Sequence, residues 1–417
     1  NWFNPDQQVI SDIYQNENLI FSGPCRIIRR SNGMGPKEVV LLSTNDAINR
    51  FRKKPIRNPR REINPPPTIT FDHPFFKNKI TREVHDISNL GISIFEPEQD
   101  GVLMVGMIIP ELTVNFHGVM QSTIKCIGQV VYRQTDHEKG ILCGIAILDM
   151  DIETHSRLTH IISVLAEPNS RLSQEVDTEE LWKFFFDTGF IYPEKYQYIH
   201  TNRQQFKDVY EKLYKKAPDI ARHFTYEKNG RIFAHISMLK AYNKTWVLHH
   251  HAARSLENSY IGLKVIKQLV HYLNGLSRLP SAKTDFALGY YRPQNEFPDR
   301  VFGDFARELD NLQGCSLDLF SYSIATVTKN YAPLPYGWTL SECSPFDLWE
   351  LERFYRHRSG GLLLDALGLK KGIMVDEDLG SRYRHYGFVR KCQAYSLSFQ
   401  GELHAVIIVE QSSPGLN

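Results

Sequence analysis

The sequence predicts a multidomain protein in which an antiparallel β-barrel is followed by a mixed α/β region. Three observations predict it. The chain has 417 residues, more than one hydrophobic core ordinarily serves. Residues 68–148 hold six short β-branched or aromatic runs punctuated by Gly, Pro, Asp and Asn, the pattern of an antiparallel barrel or sandwich. Beyond Pro168, runs with helical spacing alternate with strand-like runs, which indicates mixed α/β structure.

The elements follow in order. Residues 1–48 form a small β-rich lead-in, with strand-like runs at 25–28 and 39–42 joined by a Gly-rich turn at 31–36. Residues 49–166 form the barrel and its closing helix. This part opens on a burst of positive charge from Arg52 to Arg61, where six of ten residues are Lys or Arg and none is acidic. Residues 64–67 then break the chain. Strands are expected at 69–71, 92–95, 102–109, 112–116, 124–132 and 141–147. A helix is expected over 152–165, because Ile152, Leu158, Ile161, Ile162 and Leu165 recur at helical spacing.

Residues 167–330 form an α/β domain. Helices are expected at 179–186 and 203–214, then a hairpin of 222–226 and 232–239. Its Asn229-Gly230 turn favours type I′. A strand at 245–253, an amphipathic helix at 263–276, a strand at 285–291, a helix at 300–309 and a strand at 315–327 follow. Residues 331–417 form a second, partial α/β domain. It has a strand at 338–341, a helix at 346–355, and a strand pair, 390–399 and 403–410, around Gln400-Gly401. The order helix, hairpin, long strand occurs in both parts, which suggests a degenerate internal duplication.

Composition narrows the function. Hydrophobic residues are 42% and charged residues 23%, a folded, soluble composition. The net charge of +2 excludes a general polyanion binder, so any anion site is local. Six separated cysteines without a CxxC pair argue against a zinc site and a disulfide framework, and favour a reducing, cytoplasmic setting. No apolar run reaches membrane-spanning length, so no membrane insertion is expected. Starting at Asn1 without an initiator methionine, the sequence is expected to be a trimmed piece.

The chemistry concentrates in two short segments. Arg57-Asn58-Pro59-Arg60-Arg61 lies in a proline-interrupted basic stretch, read as a turn or extended loop. Guanidinium groups suit phosphate because they offer a charged planar fork, and they also stack on aromatic faces such as purines. Asp86-Ile87-Ser88-Asn89-Leu90-Gly91 leads into a strand. Asp86 can accept from a guanine edge or from a local turn. Ser88 can donate to a phosphate or cap the turn. Gly91 permits close approach of a ligand or a positive φ.

Together these segments resemble the signature of the PilZ family, RxxxR followed by [DN]xSxxG at a barrel strand. Val84, the run at 92–95, residues 128–132 and residues 143–149 resemble the family's flanking strands. The resemblance covers residues 50–165. It implies a bacterial receptor for the second messenger cyclic di-GMP. Arg57 and Arg61 would grip phosphate and stack on guanine, Asp86 and Ser88 would read the other edge, Gly91 would allow the approach, and Arg60 would add to the field with Arg52, Lys53 and Lys54. Ile56 precedes the signature where a third arginine would serve a second ligand copy, which favours one ligand per site.

Residues 170–417 are similar in order to the GCN5-related N-acyltransferase (GNAT) fold, as a divergent tandem pair. That family holds the pyrophosphate of coenzyme A on a [QR]xxGx[GA] loop at a helix N-terminus. The matching place is Arg254 to Gly262, where Glu257 stands for the first glycine. An acidic side chain there repels pyrophosphate. The region is therefore read as a non-catalytic output module acting on an unidentified downstream protein. The alternative is a cyclic di-GMP-regulated N-acyltransferase. His249-His250-His251 lies on a strand, where alternation would put His249 and His251 on one face; with no ligand partner at metal spacing it is read as packed, so no metal is assigned. Arg382 to Tyr386 is read as a solvated loop rather than a nucleic-acid surface.

Overall fold

The computed structural model describes residues 4–30, 39–44, 48, 59–118, 121–136, 138–166, 169–172, 176–189, 199–254, 260–323, 332–369 and 375–416. The chain divides into two compact units. The first holds residues 1–168 with Val270–Ala282. The second holds Asn169–Leu269 with residues 283–417. The lead-in and the barrel thus belong to one unit, and most of the residues beyond Pro168 to the other.

In the first unit, β1 (Gln8–Gln15), β2 (Asn18–Arg30) and β3 (Val39–Ser43) form an antiparallel sheet. Strand β1 escapes the sequence pattern because most of its residues are exposed. Its turn lacks glycine, and Asn16 and Glu17 take positive φ instead. The sheet is tied to the rest of the unit: Gln129 donates to the Ser22 carbonyl at 2.8 Å, and Ser43 donates to that of Val105 at 3.2 Å.

The barrel closes through β4 (Thr68–Asp72), β5 (Lys79–Ser88), β6 (Gly91–Glu96), β9 (Gly140–Asp149), β8 (Ser122–Asp136) and β7 (Ile108–Phe116), in that order. Its interior is built by alternation: Ile69, Phe71, Val84, Ile94, Val114, Ile124, Val130 and Ile145 are all buried. Two glycines in the long β8–β9 pair are demanded by space. A Cβ on Gly128 would stand 2.9 Å from Ile145, and one on Gly144 would stand 2.0 Å from the Tyr132 ring.

One expected strand is corrected. Residues 102–107 are not a strand; they form a loop, and β7 begins at Ile108. The reason is Glu96, fully buried at the end of β6. Its carboxylate accepts the amides of Val102 and Leu103 at 3.0 and 3.1 Å, where a neighbouring strand would otherwise supply carbonyls. Arg133 pairs with its other oxygen at 3.3 Å. Cys143 lies beside this carboxylate, and burial, then Glu96, pushes its thiol up to about 11.

Helix α1 (Ile152–Ala166) follows the barrel as expected. Asp151 caps it, accepting from the Thr154 amide at 2.8 Å. Within the same unit α1 meets residues 270–282. Ser156 and Tyr272 share a hydroxyl hydrogen bond at 2.8 Å, and Gly275 leaves room for the His155 ring, 2.3 Å from where a Cβ would be.

The second unit contains a five-stranded sheet of β10 (Ser170–Leu172), β11 (Ala221–Lys228), β12 (Arg231–Tyr242), β13 (Thr245–Ala253) and β14 (Phe286–Gly289). Pairing is antiparallel except between β13 and β14, which run parallel. Helices α2 (Thr178–Asp187) and α3 (Arg203–Glu211) supply Leu181, Trp182, Phe184, Phe185, Phe206 and Tyr210 to its core. Helix α4 (Ile261–Leu276) links β13 to β14. A three-stranded sheet follows: β15 (Trp338–Glu342), β16 (Arg390–Phe399) and β17 (Glu402–Ser412). The turn Asn229-Gly230 has both residues at positive φ, as type I′ requires. Among the described residues no helix is long and apolar enough to cross a membrane.

Four further expectations are corrected here. Residues 315–323 form no strand; residues 324–327 of that run lie outside the described residues. The helix expected over 203–214 ends its α-helical part at Glu211 and continues as a π turn, Lys212–Lys216. Arg382 to His385 lie on a helix, Glu377–His385, rather than a loop. Asp376 caps it, and Tyr383 is fully buried and donates to the Lys240 carbonyl at 3.0 Å. The strict alternation of the three histidines fails, because His250 takes a φ of 55° at a bulge in the β12–β13 pairing.

That bulge completes an aromatic and imidazole cluster. His235 Nδ1 lies 2.9 Å from the His250 carbonyl and must donate to it. Its Nε2, 3.1 Å from His223 Nδ1, then accepts from His223. The Tyr214 ring stacks on His223 at 4.2 Å. Burial, with His223 adjacent, holds His235 well below the ordinary histidine range.

Candidate functional site

The candidate site lies where β5 turns into β6. Ser88 and Gly91 face each other in register, so the DISNLG segment is the end of a strand, a two-residue turn and the start of the next strand. The turn closes on itself. Ser88 Oγ donates to the Gly91 carbonyl at 3.3 Å, and the Leu90 amide donates to Ser88 Oγ at 3.4 Å. Ser88 and Asn89 are buried. Of the two sequence readings of Ser88, the structure shows turn closure. Gly91 does not take positive φ. A Cβ there would lie 3.1 Å from Arg60 Nη2 and 3.2 Å from the Ile145 carbonyl, so the missing side chain makes room for these two neighbours.

The basic segment docks on this hairpin through its backbone. The Arg61 amide donates to the Ile87 carbonyl and the Ile87 amide to the Arg61 carbonyl, each at 2.9 Å. This short bridge fixes Arg60 beside the turn. Arg60 Nη1 pairs with Asp86 Oδ1 at 2.5 Å. Arg60, Arg61, Asp86, Ser88 and Gly91 are thus brought together. Arg57, with Arg52, Lys53, Lys54 and Ile56, lies outside the described residues.

Two neighbours escaped the sequence reading. Tyr132 opposes Gly144 in the β8–β9 register, with its ring lying over the glycine. Burial pushes its phenol up; Arg60 opposes this, and Asp86 and Cys143 add to it. The signal was an aromatic residue opposite a strand glycine, a recurring way to cover the gap a missing side chain leaves. His85 packs on Phe95 with ring centres 4.9 Å apart, and its Nε2 lies 3.9 Å from Glu62. Nothing local in the sequence marked that contact.

In the second unit, Arg254 stands at the first position of the [QR]xxGx[GA] loop expected of an acyl-CoA site. Arg254 is already engaged. It pairs with Glu180 at 3.3 Å and Asp187 at 2.6 Å, donates to the Ile232 carbonyl at 2.6 Å, and lies over the Phe184 ring. Glu257 lies outside the described residues. Among the described residues no group of three His, Cys, Asp or Glu side chains is placed to hold a metal ion.

No family model matches the sequence, and no curated protein matches it. Solved structures do show similarity. The PilZ domain with c-di-GMP of YcgR from Escherichia coli is 17% identical, aligned over 28% of this chain and 94% of that one, with a TM-score of 0.23. The inhibitor of motility MotI from Bacillus subtilis is 12% identical over 40% of this chain and 77% of that one, with a TM-score of 0.23. A ribosomal-protein-alanine N-acetyltransferase from Brucella melitensis biovar Abortus is 11% identical over 38% of this chain and 98% of that one, with a TM-score of 0.26.

Proposed function

We propose that this protein is a receptor for cyclic di-GMP whose barrel senses the second messenger and whose α/β part, similar in order to the GNAT fold, is a non-catalytic output module. One observation carries the reading: the basic segment is hydrogen-bonded, through Arg61 and Ile87, to the hairpin that bears Asp86, Ser88 and Gly91. A site so built combines cations for two phosphates with a carboxylate that can accept from the N1–H and N2–H₂ edge of a guanine. Arg57 and Arg61 are assigned to phosphate and base stacking, Asp86 to the guanine edge, and Gly91 to close approach. Ser88 holds the turn. The engagement of Arg254 with two carboxylates weighs against a coenzyme A site in the usual manner.

The test is a calorimetric titration of cyclic di-GMP into the full chain. Arg57→Ala and Arg61→Ala are expected to abolish most of the affinity, since each removes charge-assisted contacts of roughly 1.5–3 kcal/mol. One ligand per site is the expected stoichiometry. Unchanged affinity in both variants would reject the assignment. Asp86→Ala is expected to weaken binding and to blunt preference over the adenine analogue.

A further inference from the structure

We propose that Arg60 is a gate, not a ligand contact: in the free protein its guanidinium occupies the place of the guanine edge on Asp86. The inference rests on the cyclic di-GMP reading and assigns a regulation to that same site. Arg60 Nη1 holds Asp86 Oδ1 at 2.5 Å. Its Nη2 lies 3.1 Å from where a Cβ on Gly91 would stand, so the same group also covers the glycine that the ligand must approach. Both features the hairpin offers a purine are thus filled by one side chain.

The guanidinium mimics what it blocks. A guanidinium, like the guanine N1–H and N2–H₂ edge, is a planar set of N–H donors suited to a carboxylate, and here one of them, Nη1, engages Asp86 Oδ1. The Arg60 side chain is 39% exposed and that of Asp86 23% exposed. An ion pair this open is weak and exchanges readily with solvent. The gate therefore lowers affinity without closing the site. Ser88 cannot substitute for Asp86, because its hydroxyl is spent on the Gly91 carbonyl within the turn. The basic segment thus has a divided role. Arg61 is held by its backbone at the hairpin, while Arg60 competes with the ligand that its neighbour attracts.

The test uses the full chain and cyclic di-GMP, with calorimetry on the wild type, Arg60→Ala, Asp86→Ala and the double variant. Arg60→Ala is expected to bind about two- to fivefold tighter, the strength of an exposed ion pair. The gain should vanish in the Asp86→Ala background. It should also shrink as salt is raised, because salt screens the exposed pair. Arg60→Gln should show the same direction, and equal thermal midpoints confirm folding of each variant. If the wild type binds and Arg60→Ala binds equally or more weakly, Arg60 is a bystander or a ligand contact and the gate is wrong. If no form binds, the cyclic di-GMP reading fails and the gate fails with it.

Discussion

Each unit holds a buried polar cluster, and these two clusters are satisfied by opposite means. The barrel buries a carboxylate and answers it with charge. Glu96 is fully enclosed, with Arg133 on one oxygen and two backbone amides on the other. The α/β unit buries imidazoles and answers them without charge. His223 donates to His235, His235 donates to a carbonyl, and Tyr214 covers the pair. Removing one partner of an ion pair strands the other, whereas a neutral chain becomes costly only when protons force a charge onto it. The barrel core should therefore be brittle to substitution and the α/β core brittle to acid.

The largest expected effect sharpens this contrast. Glu96→Ala leaves Arg133 and two amides without their acceptor, and should destabilise the barrel by roughly 3 kcal/mol. Hydrogen exchange would show the loss in the barrel strands, with the second unit's strands unaffected. Equal loosening of both units would break the comparison. This residue also shows where sequence reading ends. The β-rich character of residues 68–148 was legible because alternation is local, and so was the Asn229-Gly230 turn. Residues 102–107 were misread because a side chain, not a strand, satisfies the amides of Val102 and Leu103. Tyr383 was misread because it is one buried ring in a helix of exposed charges. At the candidate site the two motifs were legible. The Arg60–Asp86 pair was not, since no periodicity relates residues so far apart in the chain. Tyr132 was overlooked for the same reason: its relation to Gly144 exists only in the strand register.

The next effect is pH dependence in the second unit. His235 lies well below its ordinary value through burial and then His223, and His249 is held near about 4 by burial and then Arg390. The unfolded chain protonates these rings near pH 6.5 while the folded one does not, so acid favours unfolding. The stability they permit is present above pH 6.5. It should fall with pH towards 4, by at most about 1.4 kcal/mol per pH unit for each histidine. Four of the five tryptophans, Trp182, Trp246, Trp338 and Trp349, belong to this unit, so denaturant unfolding followed by their fluorescence reports on it. A midpoint independent of pH between 7 and 5 would contradict the neutral chain.

The smallest effect is a turn. Gly230 has a φ of 70° with nothing near its missing side chain, so Gly230→Ala should cost only about 1 kcal/mol, from backbone strain. The same fluorescence transition should shift slightly, at every pH alike. A loss as large as that of Glu96→Ala would mean the hairpin organises more of the unit than its contacts indicate.

Helix α4 carries a consequence of another kind. Its residues 261–269 are counted with one unit and 270–276 with the other, together with the residues up to Ala282. The barrel unit is therefore discontinuous in the sequence. A truncation after residue 168 would deliver a barrel stripped of its own Tyr272 and Gly275, and so of the hydroxyl partner of Ser156 and the recess that holds His155. Such a unit cannot be cut out and moved as a single cassette. Recombination that exchanged it would have to carry the intervening hundred residues along, so the two parts are inherited as one.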